Sequence, residues 1–292
     1  MTGRESTLTS HAGRYVRDGG AQERELAERL ASRGLDVTVP NVARIYDFLL
    51  GGKNNFQADR DAAEQLVRVI PQIAEACRLN RDFLGRVVRA LAEAGIRQFI
   101  DVGSGLPTGN SVHEIAQRTD PEARVVYADY DPVVISHAQA LLEDVPRGVI
   151  AVEGDLRHPG EIIGHPRVQE LIDFRQPVAV LMFAVLHFIT DAEQPGEIVR
   201  QVADAMAPGS FVAVSHGTDE GVTGEQSRDA QQIYQGASSR IVPRSREGIL
   251  ALLGPLEVVE PGLVNISLWP EKPPGAGPAA PLVFYGGVAR KT

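Results

Sequence analysis

"FIDVGSGLPTGN", residues Phe99–Asn110, joins an apolar strand to a helix through a glycine turn. Apolar Phe99 and Ile100 lead into Asp101. Gly103-Ser104-Gly105 then turns the chain, and "GNSVHEIAQR" follows with the pattern of a helix. Small residues at such a strand-to-helix turn let a ligand approach the backbone where side chains would block it. Working outward, "ARVVYADYD" reads as the next strand, "PVVISHAQALLED" as a helix and "GVIAVEGD" as a third strand. "PVAVLMFAVLHFI" is an apolar run of the kind that forms a strand buried on both faces. "PGEIVRQVADAMAPGS" reads as a helix and "SFVAVSHG" as a strand. Strands alternating with helices predict an α/β fold with a doubly wound, parallel sheet.

In such a sheet the carboxyl ends of the strands line the ligand crevice. Asp129 ends the second predicted strand, where a carboxylate can accept hydrogen bonds from both hydroxyls of a ribose. Asp155 ends the third, where it could meet an adenine amino group. Taken singly, each aspartate could equally be a helix cap, a role that suits Asp131 before Pro132 better than it suits Asp129. A dinucleotide fingerprint would need glycine at position 108, which is Thr108, and Pro107 removes a backbone donor that could face a pyrophosphate. Asp101 would repel phosphate and suit a cationic amino group. The combination favours a ligand with adenosine, an ammonium group and no pyrophosphate, a description that S-adenosylmethionine meets.

The ordered set "NVARIYDFLLGGKNNFQADRDAAE", "DVGSGLPTGNSVHEIAQ", "YADYDPVV" and "LMFAVLHFI" resembles a bacterial family of S-adenosylmethionine-dependent methyltransferases, long catalogued as a domain of unknown function. The resemblance runs from about Val37 to the "GGVARK" end. It implies a Rossmann-like class I methyltransferase sheet of seven strands, the last antiparallel, beneath an N-terminal helical cap. It also implies cofactor contacts at Gly103, Ser104, Gly105, Asp129, Asp155 and Leu156, with Ala184 beside the reacting centre; Asp101 joins them on the charge argument above. Pro107 departs from the usual small residue at the third position of the class I turn. The implied layout is an extension over 1–36, a cap over 37–95 and a cofactor-binding core over 96–292.

"GGKNN" within Asn41–Phe56 looks like a phosphate loop, but G-x-x-x-x-G-K-[ST] is absent and the segment precedes the nucleoside-binding strand. It is expected to belong to the cap, with Arg44, Tyr46 and Asp47 facing the acceptor pocket; an amphipathic helix packing Ile45, Phe48 and Leu49 inward is compatible with that. His187 is the leading candidate for a base that would take a proton from an oxygen acceptor, and Tyr46 is the second catalytic candidate. A buried histidine with its hydrogen bonds met is the competing reading. His113 is a weaker candidate, and His158 and His165 read as loop residues. No histidine–carboxylate spacing suggests a metal, and no G-x-S-x-G elbow suggests a serine hydrolase.

The net charge of −9 with no basic run argues against nucleic acid; a small molecule is the expected acceptor, and neither charge nor motif names it. No apolar stretch is long enough to span a membrane, and the polar N-terminus lacks a signal-peptide core, so the cytoplasm is the expected location; the lone Cys77 allows no intrachain disulfide. Two other functions fit parts of the pattern: a non-catalytic S-adenosylmethionine-binding regulator, and a nicotinamide-dependent oxidoreductase.

Overall fold

Eight strands form one mixed sheet in the computed structural model, which describes residues 36–107, 109, 111–142, 148–270 and 282–292. The sequence "AQERELAERLASRGL" (21–35), whose charged pattern stopped by Gly34 predicts a short helix, lies outside those residues with the rest of the extension before it, as does most of the proline- and glycine-rich "PEKPPGAGPAAP", which predicts a loop. Three helices precede the sheet: α1 (Val42–Leu49), α2 (Gln57–Val69) and α3 (Ile73–Glu93). β1 (Gln98–Val102), α4 (Val112–Thr119), β2 (Arg124–Asp129), α5 (Pro132–Leu142) and β3 (Val149–Glu153) follow in alternation. Next come α6 (Pro159–Gly164), α7 (Pro166–Leu171), β4 (Ala179–Phe183), α8 (Pro195–Ala205) and β5 (Phe211–Gly217). The chain ends with α9 (Gly224–Gln235), α10 (Arg246–Leu252), β6 (Glu257–Val258), β7 (Val264–Asn265) and β8 (Phe284–Arg290).

The strand order is β3-β2-β1-β4-β5-β8-β6, with β7 also paired to β8. β1 to β5 run parallel, and β8 is antiparallel to β5. The predicted class I arrangement is therefore present, with its last strand reversed. It has eight strands where seven were expected, because the extended segment after Leu256 contributes two two-residue strands on either part of β8. The short helices α6 and α7 were not anticipated; each has only six residues and a proline at its start, a position that proline tolerates because the first turn's N–H groups have no helical partner.

Alternate residues of each central strand face opposite layers, and both layers are apolar. Phe99, Val125, Leu181 and Ala213 pack with α3 and α4, whereas Ile100, Val126, Met182 and Val214 pack with residues of α6, α8 and α10. α3 carries Phe83, Val87, Val88 and Leu91 on its buried face, the helical spacing legible in the sequence. The Phe83 ring packs tilted against Phe183 (centroids 5.2 Å apart) and edge-on against Trp269 (5.6 Å). It also lies against the backbone of β8: a Cβ on Gly286 would sit 2.3 Å from Phe83 Cε1 and 2.7 Å from Ile266 Cγ2. Gly286→Ala is expected to cost about 1–3 kcal/mol by overpacking, read as a lower denaturant midpoint with an unchanged m-value.

The apolar run after Val178 is not one long strand. β4 stops at Phe183, Ala184 takes φ +51°, and Leu186–Phe188 forms a 3-10 turn. The turn is held by the Ala184 N–H, which donates to the Ser215 carbonyl (3.0 Å) and Ser215 Oγ (2.9 Å) on β5. The run's hydrophobicity continues because the turn itself is buried: Leu186 is 1% and His187 3% exposed.

Candidate active site

The carboxyl ends of β1 to β5 open into one cleft roofed by α1, α3 and α9, with about 1710 Å³ of free space, part of it open to solvent. Asp101, Gly103, Asp129, Asp155, Leu156 and Ala184 all line it, as do Ser104 and Gly105. The parallel register is what gathers them, since it brings successive strand ends to one edge.

The turn after β1 is built for close approach. Gly103 and Gly105 take φ +69° and +65°, which a side chain would strain, and a Cβ on Gly103 would lie 2.4 Å from Val185 Cγ2. The Gly103 N–H donates to the Ala128 carbonyl (2.8 Å) and the Gly105 N–H to Asp129 Oδ2 (2.9 Å). Asp129 Oδ1 accepts from the Asp131 N–H (3.0 Å), so the aspartate ties the turn to the end of β2. Burial raises its carboxyl to about 6, against the pull of these N–H donors. Ser104 Oγ is buried with no hydrogen-bond partner.

Asp101 is 4% exposed, and no described donor reaches its carboxylate. Burial pushes it up to about 7; Arg81 on α3 opposes the shift and Asp129 adds to it. Arg81, which the sequence reading missed, lines the same cleft, and no described acceptor reaches its guanidinium. An unneutralised carboxylate and an arginine facing one cavity suit a zwitterion. Asp155 accepts from the Arg157 N–H (2.9 Å) and pairs with its guanidinium (3.1 Å), which in turn reaches Glu193 (2.6 Å).

His187 lines the cleft, but its environment restricts it. Its Nδ1 accepts from the Gly217 N–H (3.1 Å), and burial, with His216 and Arg244 nearby, drives its pKa well below the usual value. The neutral ring therefore carries its proton on Nε2. Tyr46 lines the cleft too; its hydroxyl donates to the Cys77 carbonyl (3.1 Å) and accepts from Asn80 Nδ2 (3.0 Å). His113, His158 and His165 do not line it. His113 Nδ1 sits 2.9 Å from the Tyr127 hydroxyl, and His165 caps α7.

The "GGKNN" segment is a scaffold. Asp47 Oδ2 accepts from the Asn54 N–H (2.9 Å) and Asn55 Nδ2 (2.8 Å), and a Cβ on Gly52 would sit 2.1 Å from Asp47 Oδ1. Asp47 lies at the cleft wall, but its charge is spent on that loop. Arg44 does not line the cleft as expected: at 4% exposure it must be paired, and its Nε donates to Asp59 (2.8 Å) while its Nη2 donates to the Val39 carbonyl (2.9 Å). Asn41, which caps α1, donates from its side chain to Asp131 Oδ2 (2.6 Å) and from its backbone to Asp59 Oδ1 (2.8 Å). A continuous chain of contacts thus runs Asp129–Asp131–Asn41–Asp59–Arg44 from the strand end into the helical roof.

A family model described as S-adenosyl methyltransferase matches residues 28–292. The chain belongs to this family. A crystal structure of a Thermobifida fusca protein, provisionally named a methyltransferase, is 39% identical with a TM-score of 0.81, covering 89% of this chain and 97% of that one. A DUF574 family protein from Streptomyces avermitilis is 36% identical with a TM-score of 0.82, covering 87% and 98%. The carbon methyltransferase CurJ, 12% identical with a TM-score of 0.54 over 94% of this chain and 71% of that one, shares the fold. No curated protein matches. The protein is an S-adenosylmethionine-dependent methyltransferase, and the nicotinamide-dependent and regulator readings lose their support. The methyltransferase site fits its cofactor on its own terms: a turn that excludes side chains, an orphaned serine hydroxyl and a buried carboxylate lacking a donor. Among the described residues no cluster of metal-ligating side chains occurs, and no helix is long and apolar enough to cross a membrane.

Proposed function

We propose that this methyltransferase acts on a small molecule, in the cytoplasm, with the cofactor held across the ends of β1 to β3 and the acceptor held beneath a cap formed by residues 37–95. The observation that carries the reading is Asp101, a buried carboxylate without a donor that faces the same cavity as Arg81 and Asp129. In this reading Asp101 receives the α-ammonium of the methionine moiety and Arg81 its carboxylate. Gly103, Ser104 and Gly105 pass beneath it, and Asp129 accepts from the ribose hydroxyls. Asp155 and Leu156 flank the adenine, and Ala184 lies beside the methyl group. The cap has no separate core: Ile45 and Leu66 belong to the same apolar cluster as Phe99 and Leu181.

S-adenosylmethionine supplies an activated methyl group on a sulfonium, so the protein's task is alignment and exclusion of water. His187, with its proton on Nε2, is assigned as a hydrogen-bond donor to the acceptor instead of a base, because acting as a base would break its bond to Gly217. Tyr46 is assigned to the pocket wall, since its hydroxyl proton is already committed and burial raises its pKa. Incubating the protein with methyl-labelled S-adenosylmethionine and a bacterial small-molecule extract is expected to label low-molecular-weight material. Label confined to macromolecules would contradict the small-molecule reading.

The raised carboxyls set a pH dependence. Asp101 must ionise to hold an ammonium, and its value is about 7, with Asp129 at about 6. Affinity for S-adenosylmethionine is expected to be about tenfold weaker at pH 6 than at pH 7.5, measured by calorimetry. A flat profile over that range would contradict the assignment.

A further inference from the structure

We infer that the acceptor is a neutral, largely apolar ring compound whose one hydrogen-bonding group is read by Tyr234 and the Tyr46–Asn80 pair. This rests on the methyltransferase reading and deepens it. The cleft is divided by chemistry. Asp101, Asp129 and Asp155 gather at the strand ends, whereas the wall formed by α2, α3, the segment entering α9 and the turn after β4 carries Leu66 with the adjoining Ile70, Ile73, Val222 and Phe188. Phe188 and Tyr234 meet at 5.6 Å between ring centroids, giving that wall the flat apolar surfaces against which another ring packs well.

One polar island interrupts the wall. Tyr234 is 9% exposed, and no described residue hydrogen-bonds its hydroxyl. Asn80, 2% exposed, gives its Nδ2 to Tyr46, and its Oδ1 is buried with no partner. A buried polar atom is rarely left unpaired, so Asn80 Oδ1, on the same cavity wall as the unpartnered Tyr234 hydroxyl, fits a ligand that completes both. The island is also neutral. Burial raises Tyr46 and Tyr234 above the usual tyrosine value and pushes the Cys77 thiol up to about 12. A charged group on the acceptor would find no counter-ion there and would carry its desolvation cost uncompensated. Arg81 lies at the boundary, near Tyr46 as well as Asp101. An acceptor carboxylate captured by Arg81 is therefore the outcome that would oppose the inference.

The test uses the full chain saturated with S-adenosylhomocysteine and three probes of one shape: 1-naphthol, 1-naphthoate and 1-naphthylmethylamine. Equilibrium dialysis is expected to show 1-naphthol binding at least about tenfold more tightly than either charged probe. Tyr234→Phe should weaken 1-naphthol about three- to tenfold, the loss of one hydrogen bond. Ala230→Leu, on the α9 wall, should weaken it further by filling the pocket. Neither variant should change S-adenosylhomocysteine binding. Tighter binding of a charged probe, no binding by any probe at millimolar concentration, or 1-naphthol binding indifferent to both variants would overturn the inference. Failure of S-adenosylhomocysteine itself to bind would instead overturn the cofactor assignment beneath it, so the two failures are distinguishable.

Discussion

Asp129→Ala is expected to weaken S-adenosylmethionine binding by about 100-fold or more. Two hydrogen bonds from ribose hydroxyls to a carboxylate are worth about 1.5–3 kcal/mol each, and every 1.4 kcal/mol is tenfold. The substitution also removes the acceptor for the Gly105 and Asp131 N–H groups, which loosens the turn that the cofactor must pass. Asp129→Asn separates the two effects. Its amide oxygen can still accept from one of these N–H groups, so the turn is better kept, but the charge-assisted ribose bonds are lost. Calorimetric affinities should therefore fall in the order wild type, Asn, Ala. An Asp129→Ala protein that binds within threefold of wild type would show that the ribose is held elsewhere.

Asp101→Asn should move two measurements in opposite directions. In the unliganded protein Asp101 is a buried carboxyl raised to about 7 from the ordinary aspartate value of 3.8. A folded-state value above the unfolded one means the folded protein holds its proton more tightly. The group is therefore no burden below about pH 4, and it costs stability increasingly as pH rises towards 7, levelling off above. Asparagine removes that cost, so the unliganded variant should melt higher than wild type at pH 8 and no higher at pH 4. Cofactor binding should fall about 100-fold, because losing one partner of a buried ion pair costs about 3–5 kcal/mol and part of that is recovered by the neutral amide. The steep pH dependence of affinity between 6 and 7.5 should flatten with it. A variant that loses affinity without gaining stability at pH 8 would assign Asp101 to the turn's architecture, not to the ammonium.

Much of this was legible in the sequence where the physics is local. Strand periodicity, the glycine turn and the aspartates at successive strand ends each leave a mark within a few residues. Their convergence then follows from the parallel sheet alone. The rest depended on partners distant in sequence. Arg44 and Asp47 look exposed or site-facing on an amphipathic helix, yet Asp59 and the Asn54–Asn55 amides bury their charges. β4 ends at Phe183 although the apolar run continues, because Leu186 and His187 in the 3-10 turn beyond it are buried too. Tyr234 reads as an ordinary core residue of α9, and only the cavity beside it shows that its hydroxyl lacks a partner. Arg81 could have been suspected: it stands on the helix before the glycine turn, one residue past Asn80, but nothing in that helix's pattern aims it at Asp101.

The most direct test of the account is a crystal structure with S-adenosylhomocysteine bound. Both ribose hydroxyls are expected within hydrogen-bond distance of Asp129, the α-ammonium against Asp101, the α-carboxylate against Arg81, and the thioether sulfur facing the apolar wall beneath the cap. A ligand whose amino-acid end lies away from Asp101, or whose sulfur points out of the capped cavity, would contradict it.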